Sequence, residues 1–294
     1  MKVHHVSAFT FKNQGGNMAG VIILDPNSNF PSDEEMIKVA AYLNYSETSF
    51  VKILGNNRFH TRYFTPLQEV DLCGHATIAT FAVLKEEGLL NEGPILNITG
   101  AGPIEIYIND DRIFMDMAKP TLKYKLKEDD AFHLAEVIGL SPLNRPFIKE
   151  HLPMIISTGL PDIIMELPSF EHLMNLNVNM DALTEFSNDF QVIGLHCFAR
   201  KTDNSILYHC RNFAPACGID EECATGTSNG ALTYYLFLDG SLAPGKQELF
   251  TDFLQGESMN MPSLISTALS SNGTETSIKV GGKASIKQVS QYEA

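Results

Sequence analysis

Strand-like patterns of apolar and polar residues run through 3–10, 19–24, 50–54 and 58–65, with turn residues between them. Between the second and third, Ser32-Asp33-Glu34-Glu35 has capping-box spacing, serine to glutamate at plus three. It opens a helix with Met36, Val39, Ala40 and Leu43 on one face, ending near Asn44. Residues 78–84 read Ile-Ala-Thr-Phe-Ala-Val-Leu, apolar all round. That pattern predicts a buried helix over 77–87, stopped by Gly88. Three short strands follow near 94–100, 103–109 and 111–117.

Residues 119–127 are polar and lysine-rich and read as a linker. Beyond them the plan repeats: a helix over 128–138 closed by Gly139, then strands at 154–158 and 163–167. Strands at 191–200 and 205–213 flank the turn Thr202-Asp203-Asn204. A second all-apolar helix containing 231–236 runs to Gly240, with further strands near 247–254, 261–269, 275–281 and 284–289. A sheet is expected to wrap around each buried helix.

The repetition also holds at the level of residues. Arg62-Tyr63-Phe64-Thr65-Pro66 leads to Cys73-Gly74-His75-Ala76-Thr77, and Arg211-Asn212-Phe213-Ala214-Pro215 leads to Cys223-Ala224-Thr225-Gly226-Thr227. The cysteine follows the arginine by 11 positions in one copy and 12 in the other. Two copies in the same internal order argue for a duplicated domain. The fold class is therefore α+β: two similar domains, each a mostly antiparallel sheet rolled around a central helix. The boundaries are 1–118 and 119–283, with a last strand near 284–294 a candidate to rejoin the first half. Each copy places small residues and backbone N–H groups at a helix start, where unpaired amides and the dipole favour an anion. One pocket between the two helix starts is the expectation.

At 294 residues the chain has room for two cores, and 44% hydrophobic with 19% charged residues is an ordinary globular composition. A net charge of −14 argues against a nucleic-acid partner, whose phosphates need a basic face. No window approaches the about 18 apolar residues of a membrane span, and the first ten residues lack a signal-peptide core. Five cysteines, Cys73, Cys197, Cys210, Cys217 and Cys223, are an odd number without CxxC spacing, which reads as free thiols in a cytoplasmic protein.

The two matched thiols carry one possible chemistry. A helix start favours the thiolate, so Cys73 and Cys223 on either side of one carbon would remove a proton from one face and return it on the other. The plain alternative is that each is a small buried residue. His75, beside Cys73, is expected to be neutral at a helix N-terminus and able to hydrogen-bond a substrate, or else to be a satisfied structural histidine. Taken alone, Glu47 in Ser46-Glu47-Thr48 reads as a solvated turn carboxylate. Glu222 is a second carboxylate or a helix-start acid, whereas Asp220 and Glu221 read as exposed. His196-Cys197 and His209-Cys210 offer only one ligand each, since adjacent strand residues face opposite ways. No metal is expected there. Nucleotide-loop and serine-hydrolase motifs do not occur, and no cofactor is expected.

The residues resemble the PhzF-like family of phenazine-biosynthesis proteins, relatives of diaminopimelate epimerase and proline racemase. The resemblance rests on Gly16-Asn17-Met18-Ala19-Gly20-Val21, Ser46-Glu47-Thr48-Ser49-Phe50, the two motif copies, Ser157-Thr158-Gly159-Leu160-Pro161, and Gln255-Gly256 to Pro262-Ser263. It implies a diaminopimelate-epimerase-like fold, an active-site cleft between two domains, cofactor-free proton transfer and a homodimer. It implies that Glu47 is the general acid/base, which reverses the reading of that residue alone. His75 and Glu222 join it, and Asn17, Gly74, Gly226 and Thr227 stand as substrate-binding positions. The chain departs from the family at Glu222 for aspartate, Cys223 for proline, Asp162 for a histidine and Met261 for an arginine.

Three functional readings follow. The first is a cofactor-independent isomerase moving a proton on a small carboxylate-bearing substrate through Glu47. The second is an amino-acid epimerase or racemase using the Cys73 and Cys223 thiols. The third is a ligand-binding or interaction module on the same scaffold, since fold does not guarantee activity.

Overall fold

The computed structural model describes residues 1–200, 208–245 and 247–293. The chain divides into two compact units. Unit 1 is Met1–Asp116 together with the stretch from Gly281, and unit 2 is Met117–Val280.

Unit 1 contains β1 (Lys2–Ala8), β2 (Asn17–Ile23), α1 (Asp33–Leu43), β3 (Glu47–Gly55), β4 (Arg58–Phe64), β5 (Glu69–Val70), α2 (Gly74–Glu86), β6 (Ile95–Thr99), β7 (Gly102–Asn109) and β8 (Arg112–Asp116). Unit 2 contains β9 (Thr121–Lys125), α3 (Glu128–Val137), α4 (Arg145–Glu150), β10 (Met154–Ser157), β11 (Pro161–Leu167), α5 (Phe170–Met174), α6 (Met180–Phe190), β12 (Leu195–Arg200), β13 (Tyr208–Ala214), β14 (Ile219–Glu222), α7 (Gly226–Leu238), β15 (Leu249–Gln255) and β16 (Ser263–Ser271). β17 (Thr276–Gly282) crosses the unit boundary, and β18 (Ala284–Gln291) returns to pair with β1.

The pairing senses repeat strand for strand. In unit 1, β1–β2 is antiparallel, β2–β3 parallel, β3–β4 and β4–β5 antiparallel, β4–β6 parallel and β6–β7 antiparallel. In unit 2, β10–β11, β11–β12, β12–β13, β13–β14, β13–β15 and β15–β16 follow the same series. Each sheet is thus mixed. A parallel pair cannot be joined by a tight turn and needs a crossover. α1 and α6 cross on one side, and the two helices predicted as buried, α2 and α7, make the other crossover.

α2 buries every residue from His75 to Phe81, with Val83 and Leu84, against β1, β2, β3, β8 and β18. α7 buries Ser228 to Thr233, Tyr235 and Leu236 against β10, β11, β12 and β16. α1 covers the opposite face in unit 1, where Met36, Val39 and Ala40 meet Val3, Ile22, Phe50 and Phe64. Its cap is as the spacing predicts: Ser32 accepts from the Glu35 amide, and Asn44 closes the helix with a positive φ.

Unit 2 departs from the sequence reading on its outer face. α3, α4, α5 and α6 form a helical cover there, with Leu134, Ile138, Leu183 and Phe186 packed on Leu195 and Phe213. Only α3 was expected. α6 has its own signal, an Asn179 cap accepting from Ala182 and apolar Leu183, Phe186 and Phe190 at helical spacing. The expected linker over 119–127 also contains a strand, since β9 pairs antiparallel with β10. All five β9 residues are exposed, as an edge strand allows, so its lysines and threonine hid the pairing. The turn expected at Thr202, Asp203 and Asn204, and the start of the strand at Ser205, lie outside the described residues. Among the described residues no helix is long and apolar enough to cross a membrane.

Candidate active site

The two motif arginines do the same work in each unit. Arg62 makes a two-toothed bond to Glu69 on β5, at 2.7 and 2.5 Å, and Arg211 makes one to Glu221 on β14, at 2.8 Å for both. Each guanidinium also lies over the phenylalanine two residues on, 5.1 Å from the Phe64 ring centre and 4.9 Å from that of Phe213. The pair holds the short returning strand that feeds the buried helix. Glu221, expected to be exposed, is 16% exposed because of this bond.

In unit 1 that strand delivers Cys73 as the N-cap of α2, so the helix begins three residues earlier than the apolar run suggested. The Thr77 amide and hydroxyl both bond the Cys73 carbonyl, at 3.0 and 2.8 Å. Tyr63 bonds the Thr77 hydroxyl at 2.7 Å and Asn97 bonds Tyr63 at 3.1 Å, which anchors the helix start in the buried polar core. A Cβ added to Gly74 would meet nothing within 4 Å, so open space lies beside the first residue of α2.

Three elements converge on His75. β2 brings Asn17, whose Nδ2 is 3.4 Å from Nδ1. β3 brings Glu47, opposite Ala19 in the parallel register, with Oε2 3.3 Å from Nε2. Ser46 Oγ is 3.2 Å from the same nitrogen, and Cys73 Sγ is 3.3 Å from Nδ1. His75 is 6% exposed and Glu47 20% exposed, so the carboxylate is not the solvated turn residue that its local sequence suggests. Burial pushes the His75 pKa down, opposed by the Glu47 charge and a hydrogen bond to the Met18 backbone. The neutral ring expected at this position follows from burial first. Gly16 and Gly20 serve the backbone here: a Cβ on Gly16, at φ +82, would lie 2.3 Å from Ser7 Oγ, and one on Gly20 2.7 Å from Leu43.

In unit 2 the corresponding stretch is built differently. α7 begins at Gly226 with Thr225 as its cap, so Cys223 lies three residues before the helix where Cys73 lies one before. Cys223 is 7% exposed, and burial, then the Glu222 charge, push its pKa up to about 11. The expected thiolate-favouring helix start does not apply to it. Glu222 Oε2 accepts from the Thr225 hydroxyl at 2.8 Å. Fully buried Gln255 braces the turn, donating to the Glu222 carbonyl at 2.6 Å and accepting from the Thr225 amide at 3.2 Å. This is the work of the Gln255-Gly256 motif, for which sequence reasoning had no role. Thr158 fixes the first turn of α7 by donating to the Thr227 carbonyl at 2.9 Å.

The histidine–cysteine pairs point apart as expected. His196 faces Asn212 at 3.0 Å with its pKa pushed down to about 4 by burial, while Cys197 joins the other core. His209 bonds Glu257 at 2.5 Å. Among the described residues the group whose donors converge is a different one, Glu47, Cys73 and His75. A residue that the sequence marked only as a departure from the family is Asp162, 2% exposed on β11, with Ser228 of α7 donating to its Oδ2 and the Gly194 backbone also hydrogen-bonding it. Burial raises its pKa to about 6.

The profile of the phenazine biosynthesis-like protein family matches residues 6–289. The chain belongs to that family. An uncharacterized isomerase of Clostridium acetobutylicum is 31% identical over 293 residues, covering 97% of this chain and 95% of its own. The crystal structure of a Bacillus anthracis PhzF-family phenazine biosynthesis protein superposes with a TM-score of 0.83 at 25% identity, covering 100% of this chain and 99% of its own. A hydroxyproline epimerase from Agrobacterium vitis, with bound trans-4-hydroxy-L-proline, shares the fold at a TM-score of 0.61 and 11% identity, over 99% of this chain and 91% of its own. The resemblance to the PhzF-like family read from the motifs is thereby established.

Proposed function

We propose that this chain is a cofactor-independent isomerase that moves a proton on a small carboxylate-bearing substrate, with Glu47 as the general acid/base. Curated relatives named as isomerases supply the reaction class. The observation that carries the assignment is the Glu47 carboxylate held 3.3 Å from the buried ring of His75, with open space at Gly74, the first residue of α2. Glu47 takes a proton from the carbon next to the substrate carboxylate. The electron pair moves onto the carboxylate oxygens, where the Gly74 amide and His75 stabilise it. The same proton, or one exchanged with solvent, is then returned at another carbon. Asn17 holds the imidazole. In unit 2, Glu222, Gly226 and Thr227 enter the proposal as substrate-binding groups. Homodimer formation rests on the resemblance alone.

The two-thiol epimerase is the weaker reading, because Cys223 is buried with a raised pKa and a thiol must ionise to act as base. The test is solvent-deuterium incorporation, followed by mass spectrometry, into a panel of small amino and unsaturated carboxylates. Glu47→Gln keeps the shape of the site but removes the base, so exchange should fall by about 10²–10⁴ with ligand-induced stabilisation retained. Full exchange in Glu47→Gln would sink the assignment. Stabilising ligands that never exchange in the wild type would favour a binding module.

A further inference from the structure

Thr225 stands two residues after Cys223, as His75 stands two after Cys73, and each meets a glutamate. Thr225 Oγ1 lies 2.8 Å from Glu222 Oε2. Fully buried Gln255 of β15 decides which way the hydroxyl proton points. One end of its amide faces the Thr225 backbone N–H at 3.2 Å and Asn229 Nδ2 at 2.8 Å. A backbone N–H only donates, and Asn229 Nδ2 is itself fixed as a donor by the Thr225 carbonyl at 2.8 Å. That end of Gln255 is therefore the oxygen. The other end lies 2.6 Å from the Glu222 carbonyl, which only accepts, and 3.1 Å from Thr225 Oγ1. It is the nitrogen, and it donates to both. A hydroxyl oxygen that accepts an N–H turns its own proton away, here onto the Glu222 carboxylate. Every donor and acceptor of the buried amide is thereby used.

We infer that Gln255 is a positioning residue for the proposed reaction, acting through the Thr225 hydroxyl to hold the Glu222 carboxylate in one orientation. The inference rests on the proposed role of Glu222 in holding substrate. In unit 1 the hydroxyl of Thr77 donates to the Cys73 carbonyl and so fixes backbone, whereas that of Thr225 fixes a side chain. A glutamate has several rotatable bonds, and a carboxylate left loose must be ordered when ligand binds. The cost of losing the relay therefore falls on binding and not on proton transfer at Glu47. Its signature is a raised KM with kcat retained.

The direct readout is carbon NMR of the full chain, labelled at the glutamate side-chain carboxyl, with Glu222 assigned by the resonance lost in Glu222→Gln. Thr225→Val keeps the shape of the side chain and removes the hydroxyl, so it should move that resonance. Thr225→Ser should leave it in place. Gln255→Met should move it as well, but should add nothing once Thr225→Val is present. Folding of each variant is checked by circular dichroism, and if Gln255→Met does not fold, the two Thr225 variants decide. A resonance that ignores Thr225→Val, or equal shifts from Gln255→Met in both backgrounds, overturns the relay. With a panel carboxylate that exchanges in the wild type, Thr225→Val should raise the half-saturating concentration by about tenfold. The rate at saturation should stay within about threefold, and Thr225→Ser should restore the affinity. A rate lost at saturation with unchanged half-saturation overturns the positioning role. If Glu47→Gln keeps exchanging, or no panel carboxylate exchanges, the acid/base assignment fails while the resonance still decides the relay.

Discussion

Laid over each other by their strand registers, the two units keep one backbone plan and exchange the position of one acid. In unit 1, β4 pairs Arg62 with Phe50 of β3, and in unit 2, β13 pairs Arg211 with Cys197 of β12. Three residues before Phe50 stands Glu47, and three before Cys197 stands Gly194. Opposite Glu47 on β2 is Ala19, and in the same place on β11 is Asp162, which precedes the pair Ile163 and Leu195. The carboxylate has moved one strand over. Gly194 shows why it could not stay, because a Cβ there would lie 1.9 Å from the Phe213 carbonyl oxygen. Duplication has conserved hydrogen-bond pairing, which is a property of the whole sheet. The chemistry resides in single side chains and diverged freely.

The thiols give the widest separation between the units. Cys223 is buried with a pKa near 11, so its thiolate is scarce at pH 8, while Cys73 is partly exposed at a helix cap. Iodoacetamide labelling mapped by mass spectrometry should modify Cys73 about 10²–10³ times faster than Cys223. Cys223→Ser should leave proton exchange within about tenfold of wild type. Equal labelling, or a dead Cys223→Ser beside an active Glu47→Gln, would restore the two-thiol mechanism and the symmetry of the halves.

A smaller contrast concerns the arginine clamps. The side chains of Arg211 and Glu221 are 11% and 16% exposed, against 21% and 38% for Arg62 and Glu69. Removing one partner of a buried pair strands the other charge. Arg211→Met should therefore cost about 3 kcal/mol in urea unfolding, and Arg62→Met about 1 kcal/mol. Equal losses would mean that both clamps are held by packing on their phenylalanines instead of by charge.

Asp162 supplies the most pH-specific test. Its folded pKa is raised to about 6 from 3.8, so the folded state binds the proton more tightly than the unfolded chain does. The stabilising effect of protonation is complete below about pH 4 and is lost as the pH rises through about 6. Asp162→Asn should be more stable than wild type by about 3 kcal/mol at pH 8, with the difference vanishing towards pH 4. No gain at pH 8 would show that the carboxylate is satisfied when charged.

The sequence made legible what depends on repetition and period. The two buried helices, the capped α1, the order of strands and the duplicated Arg-x-Phe-x-Pro segments all follow from spacing. What escaped depends on partners distant in the chain. β9 is polar because it is an edge strand, and only its pairing with β10 marks it as a strand. Glu47 looks like a turn residue until His75, 28 positions on, is folded against it. Cys223 matches Cys73 by alignment, yet α7 begins two residues later relative to its thiol, which changes the environment without changing the motif. Asp162 carried no local sign, since its burial is set by Ser228 of a helix more than sixty residues downstream.

β18 pairs with β1 along its whole length, from Lys2 with Gln291 to Ala8 with Ala284, and α2 packs on both strands. Unit 2 is one continuous stretch, whereas unit 1 is sewn shut by its last strand. Residues 117–280 are all made before β18, so the earlier unit waits through their synthesis with one flank of β1 bare. Unit 1, which holds Glu47 and His75, is the first to be made and the last to be finished. Until β18 arrives, the edge of β1 stays open to pairing with any strand that reaches it sooner.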